Sequence, residues 1–184
     1  AVGDEAGTAI TTGDGNVAIG YAALDTASTG SRNTIIGHQA GDAITTGSDN
    51  TAVGNWALIT ATDANYNTAL GTYALKLATG ASNTAVGYNA GVAISSGANN
   101  TAVGSGAGVA ITTGGTNTAL GVNALAANTT ASNNTAVGAY AGDAITTGTN
   151  NTYLGASAGG GITTGAQSVA IGTNALLVAT DPIN

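Results

Sequence analysis

The sequence predicts an all-β protein, a parallel β-solenoid of about eleven 17-residue coils spanning residues 1–184 as a single repeat domain. Three observations predict it. The chain repeats with a 17-residue step, every unit carries a glycine and an alanine at fixed places, and large side chains are too scarce for a thick core.

The step is marked by asparagine. Asn16, Asn33, Asn50, Asn67, Asn83, Asn100, Asn117, Asn134 and Asn151 recur every 17 residues, except for one step of 16 after Asn67, and Ser168 takes the next place. With this residue as position 1, a typical unit is the stretch from Asn100 to Thr116, N-T-A-V-G-S-G-A-G-V-A-I-T-T-G-G-T. Position 4 is always Val, Ile or Leu, position 5 always Gly and position 8 always Ala. The step is too short for helical repeats and fits one solenoid coil. Two strands per coil are expected, T-A-V and A-I-T-T, with glycines at positions 5 and 15 forming corners where a backbone without Cβ turns or approaches a neighbour. The chain begins at position 3 of a unit and ends at a unit boundary, the phasing expected of a segment of a longer array.

Stacking of coils sets like residues in files. The position-1 asparagines should form a ladder, each amide bonded to the amide or backbone of the next coil. At a rise of ~4.8 Å per coil the rod should be roughly 50 Å long. Within the T-A-V strand, position 4 is expected to face inward and position 3 outward. Position 3 is nevertheless Ala in most units, with Ile35 and Tyr153 as exceptions. A strand apolar on both faces is expected to be covered on both, the second time by another subunit.

Positions 9 and 12 vary together. Gly7, Gly41, Gly91, Gly108, Gly142 and Gly159 accompany Ile10, Ile44, Ile94, Ile111, Ile145 and Ile162. Leu24, Leu58, Leu75, Leu125 and Leu176 accompany Ala27, Ala61, Ala78, Asn128 and Ala179. The two positions are therefore expected to share one interior space that holds one large aliphatic group per coil.

Charge excludes several functions. Only 6% of residues are charged, where about 25% is usual. The net charge is −7 and Arg32 and Lys76 are the only fixed cations, too few for a phosphate-contacting nucleic-acid surface. No apolar run approaches the ~20 residues that insert through a bilayer. Cys is absent, so disulfides and thiolate metal sites are excluded. His38 is the only histidine and has no carboxylate partners in sequence, so no metal site is expected. Asp42 and Asp143 share position 10 but lie six coils apart. Asp14-Gly15-Asn16 lacks the remainder of a calcium loop. No Gly-Lys phosphate loop and no base beside a Ser or Thr nucleophile are present. The expectation is a non-enzyme with no cofactor.

The repeats resemble a known family. The units N-T-A-V-G-Y-N-A-G, Asn83 to Gly91, and S-V-A-I-G-T-N-A-L, Ser168 to Leu176, resemble the head repeats of YadA-type trimeric autotransporter adhesins. The stretch N-T-A-L-G-V-N-A-L-A-A-N-T-T-A, Asn117 to Ala131, is similar to repeats of phage tail fibres. The likeness covers nearly the whole chain, although adhesin heads commonly use a shorter coil. It implies a left-handed β-roll, a homotrimer, and a place in an extracellular fibre, at a cell surface or on a virion, that attaches to a host or cell.

Two surface features complete the reading. Tyr21, His38, Trp56, Tyr73, Tyr88 and Tyr140 fall at the variable positions 6 and 7, a candidate contact ridge for a cell-surface glycan or protein receptor. Thr pairs at positions 13 and 14, such as Thr45 with Thr46 and Thr112 with Thr113, should stack into files. Such files resemble the ice-binding faces of antifreeze β-solenoids, the alternative function, interrupted at Ser28, Asp63 and Asp181.

Overall fold

Position 5 is where each coil turns, and only glycine fits it. Its φ lies between 114° and 142°, a region closed to L side chains. A Cβ at Gly104 would also stand 2.6 Å from the Gly121 carbonyl oxygen of the next coil. The three residues before this corner are extended, and they make the strands. The computed structural model describes residues 1–178, and they form a parallel β-solenoid without helices. The strands are β1 (Val17–Ile19), β2 (Thr34–Ile36), β3 (Thr51–Val53), β4 (Thr68–Leu70), β5 (Thr84–Val86), β6 (Thr101–Val103), β7 (Thr118–Leu120), β8 (Thr135–Val137), β9 (Thr152–Leu154) and β10 (Val169–Ile171). They pair in parallel, in sequence order, in one ten-stranded sheet. Each position pairs with its equivalent in the next coil, as Ala102 with Ala119, and Val2 adds a bridge to Ile19.

Three expectations are corrected. The count of about eleven coils included the incomplete units at the two ends. Ten described strands make nine coil-to-coil steps, a rod of about 43 Å at ~4.8 Å per step. The expected second strand, A-I-T-T, is a turn segment. Its residues still bond to the next coil, through backbone and hydroxyl together. Thr45 donates its N–H to the Thr62 carbonyl at 2.8 Å and its Oγ1–H to the same oxygen at 3.1 Å.

The third correction reverses the strand's faces. Position 3 points inward: Ala52, Ala85, Ala102, Ala136, Ile35 and Tyr153 are fully buried. Position 4 points outward, and Leu120 and Leu154 are 44% and 47% exposed. The cause is the residue two places earlier. Asn at position 1 is buried, and strand alternation then carries position 3 to the inside and positions 2 and 4 to the outside.

The interior of each coil is built from positions 1, 3, 8, 9, 12 and 15. Ala74, Ala90 and Ala107 at position 8 are fully buried, and so are Leu58, Leu75, Ile94 and Ile145 at positions 9 and 12. The shared space between positions 9 and 12 is visible directly. A Cβ at Gly108 would stand 2.9 Å from Ile111 Cδ1, and one at Gly91 would stand 2.8 Å from Ile94 Cδ1. In the Leu coils the partners Ala27, Ala61, Ala78 and Asn128 are buried beneath the leucine, while Ala179, paired in sequence with Leu176, lies outside the described residues. Tyr153 draws on the same space. Its ring fills what would be the Cβ sites of Gly142 and Gly159, two successive position-9 glycines.

Sharp turning also places ordinary residues at positive φ. Position 9 holds Leu58 at 54° and Leu125 at 51°, position 7 holds Trp56 at 57° and Asn123 at 53°, and position 17 holds Asp49 at 60° and Asn99 at 60°. Among residues other than glycine, Asn and Asp tolerate this region best, which accounts for their recurrence at positions 7 and 17. The strain is offset by inter-coil bonds from the same residues. Leu58 N–H donates to the Ala74 carbonyl at 3.0 Å, and Asn123 N–H to the Ser105 carbonyl at 3.0 Å.

Candidate functional site

Three sets of residues were singled out by sequence: the asparagine file, the aromatic ridge and the threonine files. The asparagine file is internal. Asn100 Oδ1 accepts the backbone N–H of Asn117 at 3.0 Å and its Nδ2–H at 3.1 Å. Asn100 Nδ2 donates to the Gly114 carbonyl at 2.9 Å, tying position 1 to position 15 across its own coil. Asn33, Asn50, Asn83, Asn117, Asn134 and Asn151 make the same cross-coil bond, and partly buried Asn16 makes it to Gly30. Asn67 is the exception. Its Oδ1 accepts from Asn83 N–H at 2.9 Å, but its buried Nδ2 has no partner. It lies in the 16-residue coil, where one residue is missing before Gly80, and the shortened loop does not bring a carbonyl to it. The ladder is a structural device that satisfies a buried polar file.

The aromatic ridge is brought together in part. Tyr21, His38, Trp56, Tyr73 and Tyr88 come from five consecutive coils and make a strip of two ring clusters, Tyr21 with His38 and Trp56 with Tyr73 and Tyr88, joined through Gln39 and Asn55. Tyr21 stacks on His38 with centroids 5.3 Å apart. Tyr73 meets Trp56 edge-on at 5.8 Å and Tyr88 at 6.1 Å. Tyr140 is separated from the strip by two intervening coils and is 46% exposed.

Polar residues that sequence reasoning passed over hold the strip in place. Trp56 Nε1–H donates to Gln39 Oε1 at 2.8 Å, and Asn55 Nδ2 lies 3.2 Å from His38 Nδ1. Lys76 Nζ sits 4.6 Å from the Trp56 ring and 5.3 Å from that of Tyr73. Lys76 follows Tyr73 by three residues across the turn, a spacing that signalled nothing until the turn was known. Glu5 borders the other end. Its hydrogen bond with the Tyr21 phenol and its charge raise the phenol's pKa, with Asp4 and Asp25 adding to the effect.

The strip is a shallow surface. No pocket opens anywhere among the described residues, and no group of three or more His, Cys, Asp or Glu is placed to hold a metal ion. Asp25 and Asp42 are neighbours at position 10 of successive coils. Burial, and then the charges of Asp25 and Glu5, raise the Asp42 pKa. Tyr66 is a further exposed aromatic that the reading of positions 6 and 7 missed, because it lies at position 17 beside the Arg32–Asp49 ion pair.

The threonine files divide. Position-13 hydroxyls are consumed by the next coil, as Thr112 Oγ1–H donating to the Thr129 carbonyl at 3.0 Å and Thr146 Oγ1–H to Thr163 at 3.0 Å. The position-14 file is exposed but is broken at Asp63 and in the 16-residue coil. Thr180 and Asp181 lie outside the described residues. A longer file runs along the sheet, the outward threonines of position 2 from Thr34 to Thr152, beside the aliphatic file of position 4.

Comparison with family models, with curated proteins and with solved structures finds no significant match.

Proposed function

We propose that this chain is a rigid, non-enzymatic fibre segment that assembles with further copies of itself and serves attachment to a host or cell surface. The observation that carries this reading is the outward face of the sheet. From Ile19 to Ile171 every strand places Ile, Val or Leu at position 4, one beside the next at strand spacing. A contiguous, partly exposed apolar file suits a subunit interface. Threonine at position 2 borders it, and charge is absent from both files from Thr34 to Leu154, so association along it desolvates no ionised group. The position-3 alanines assigned to that contact by sequence lie inside the coil, and the larger position-4 residues take their place. The subunit number, three, and the extracellular fibre setting come from the resemblance to adhesin heads and phage fibres.

The test is the mass in solution by size exclusion with light scattering. The chain is 17.2 kDa, and a trimer is expected at about three times that. Val103→Asp, which places a charge in the middle of the file, should give a monomer with an unchanged circular dichroism spectrum. A monomeric parent refutes the assembly.

The paired files on the same face favour a second reading. Eight consecutive threonines at position 2, in register at strand spacing beside small aliphatics, form a regular array of hydroxyl and methyl groups suited to ice. Thermal hysteresis of a monomeric chain would support ice binding, and its absence at high concentration would remove it.

A further inference from the structure

We infer that the strip from Tyr21 to Tyr88 is a binding platform for an uncharged polysaccharide, an extended β-linked chain of hexopyranoses. The inference rests on the attachment reading above and names the ligand class that the strip suits.

Geometry sets the shape of the ligand. Five coils contribute rings in sequence, and their four steps span about 19 Å along the rod at ~4.8 Å per step. The strip is one or two residues wide and no pocket lies beneath it. The ligand is therefore long, and it is touched along one side. An extended β-linked hexopyranose chain advances by a distance close to one strand spacing per sugar, so successive sugars meet successive coils.

Chemistry sets its class. Tyr, Trp and His offer an apolar ring with a polar edge, and a pyranose offers the complement, a C–H face rimmed by hydroxyls. The amides of Gln39, Asn55 and Asn89 lie among the rings at positions 6 and 7, within reach of that rim. The platform is also held before any ligand arrives. The indole is fixed by Gln39 at 2.8 Å and flanked by the Lys76 ammonium at 4.6 Å, which lowers the ordering cost of binding.

Charge narrows the class. Asp4, Glu5 and Asp25 crowd the Tyr21 end against the single Lys76 ammonium beside Trp56 and Tyr73, and the chain carries −7 overall, so the net field disfavours anionic polysaccharides. A protein partner suits the strip less well, because a standard interface covers about 800 Å² per partner, far wider than one file of rings.

The experiment is affinity electrophoresis of the full chain in native gels containing hydroxyethyl cellulose, galactomannan or alginate, with a cellohexaose titration read by the fluorescence of Trp56, the only tryptophan. Retardation by an uncharged polymer but not by alginate is expected, with a fluorescence change that saturates. Trp56→Ala and Tyr73→Ala should each weaken retardation about fivefold or more, whereas Tyr140→Ala should leave it unchanged. Alanine is accepted by the backbone at position 7, where Ala22 already sits at φ 48°. No retardation by either uncharged polymer, equal retardation by alginate, or undiminished binding of Trp56→Ala would overturn the inference. The light-scattering mass of the same sample separates it from the assembly: a monomer that binds refutes the assembly alone, and an oligomer that does not bind refutes the platform alone.

Discussion

Gly108→Leu tests the shared interior space, and the geometry supplies the size of the effect. The backbone is not the obstacle, since Leu24, Leu58, Leu75 and Leu125 occupy the same position with φ between 48° and 54°, close to the 57° of Gly108. The obstacle is Ile111, whose Cδ1 would lie 2.9 Å from the new Cβ and whose side chain occupies the volume the leucine needs. Overpacking of this kind costs about 1–3 kcal/mol. Ile111→Ala alone empties the space and should cost about 2–5 kcal/mol. The double variant recreates the Leu58–Ala61 arrangement and should return to within about 1.5 kcal/mol of the parent. For a chain of this length each kcal/mol moves the midpoint by about 2–4 °C, so thermal melts followed by circular dichroism resolve all four proteins. Additive losses, with the double variant at the sum of the singles to within ~0.5 kcal/mol, would refute the shared-space reasoning.

Two further predictions concern buried polar groups and pH. Asn100→Ala orphans the Asn117 N–H and the Gly114 carbonyl and should cost about 2–6 kcal/mol, because each buried unsatisfied group costs about 1–3 kcal/mol. Hydrogen exchange at the Asn117 amide should accelerate in step. Asn67→Ala should cost less, since its Nδ2 already lacks a partner; equal losses at the two sites would count against the cross-coil bond as a stabilising element. Burial raises the Asp42 and Asp143 pKa values above the ordinary 3.8, so the folded chain binds more protons than the unfolded one in the window above 3.8 and stability rises as pH falls through it. Asp49 runs the other way. Its hydrogen bond to Arg32 lowers its pKa, so its contribution is complete above 3.8 and is lost as pH falls through the lowered value. The melting temperature should therefore peak near pH ~4. Asp42→Asn should flatten the rise on the neutral side, and a midpoint that falls steadily from pH 7 to 4 would contradict this assignment.

The repeat, the parallel stacking and much of the interior are legible in the residues alone. A 17-residue step is one coil, an unvarying glycine marks a corner closed to Cβ, and the exchange of Leu at position 9 for Ile at position 12 reports a volume filled from either side. Asn at position 1 was legible as a ladder because stacking places identical residues in register. Which face of the strand lies inside is not legible there and follows from the closed coil. Alternation makes positions 3 and 4 opposite but does not say which is buried, and size misleads here. The interior of most coils already holds an amide and one large aliphatic group, so position 3 is alanine there, with Ile35 and Tyr153 as the larger exceptions, and Val, Ile and Leu of position 4 lie outside. The second strand failed for a related reason, since Thr at position 13 bonds the next coil through its hydroxyl as well as its amide while the segment turns. The aromatic strip was visible as scattered residues at two positions. Its division into two ring clusters, the Gln39 and Asn55 bonds that join them and the place of Lys76 beside the indole depend on turn geometry, which no pairwise spacing encodes.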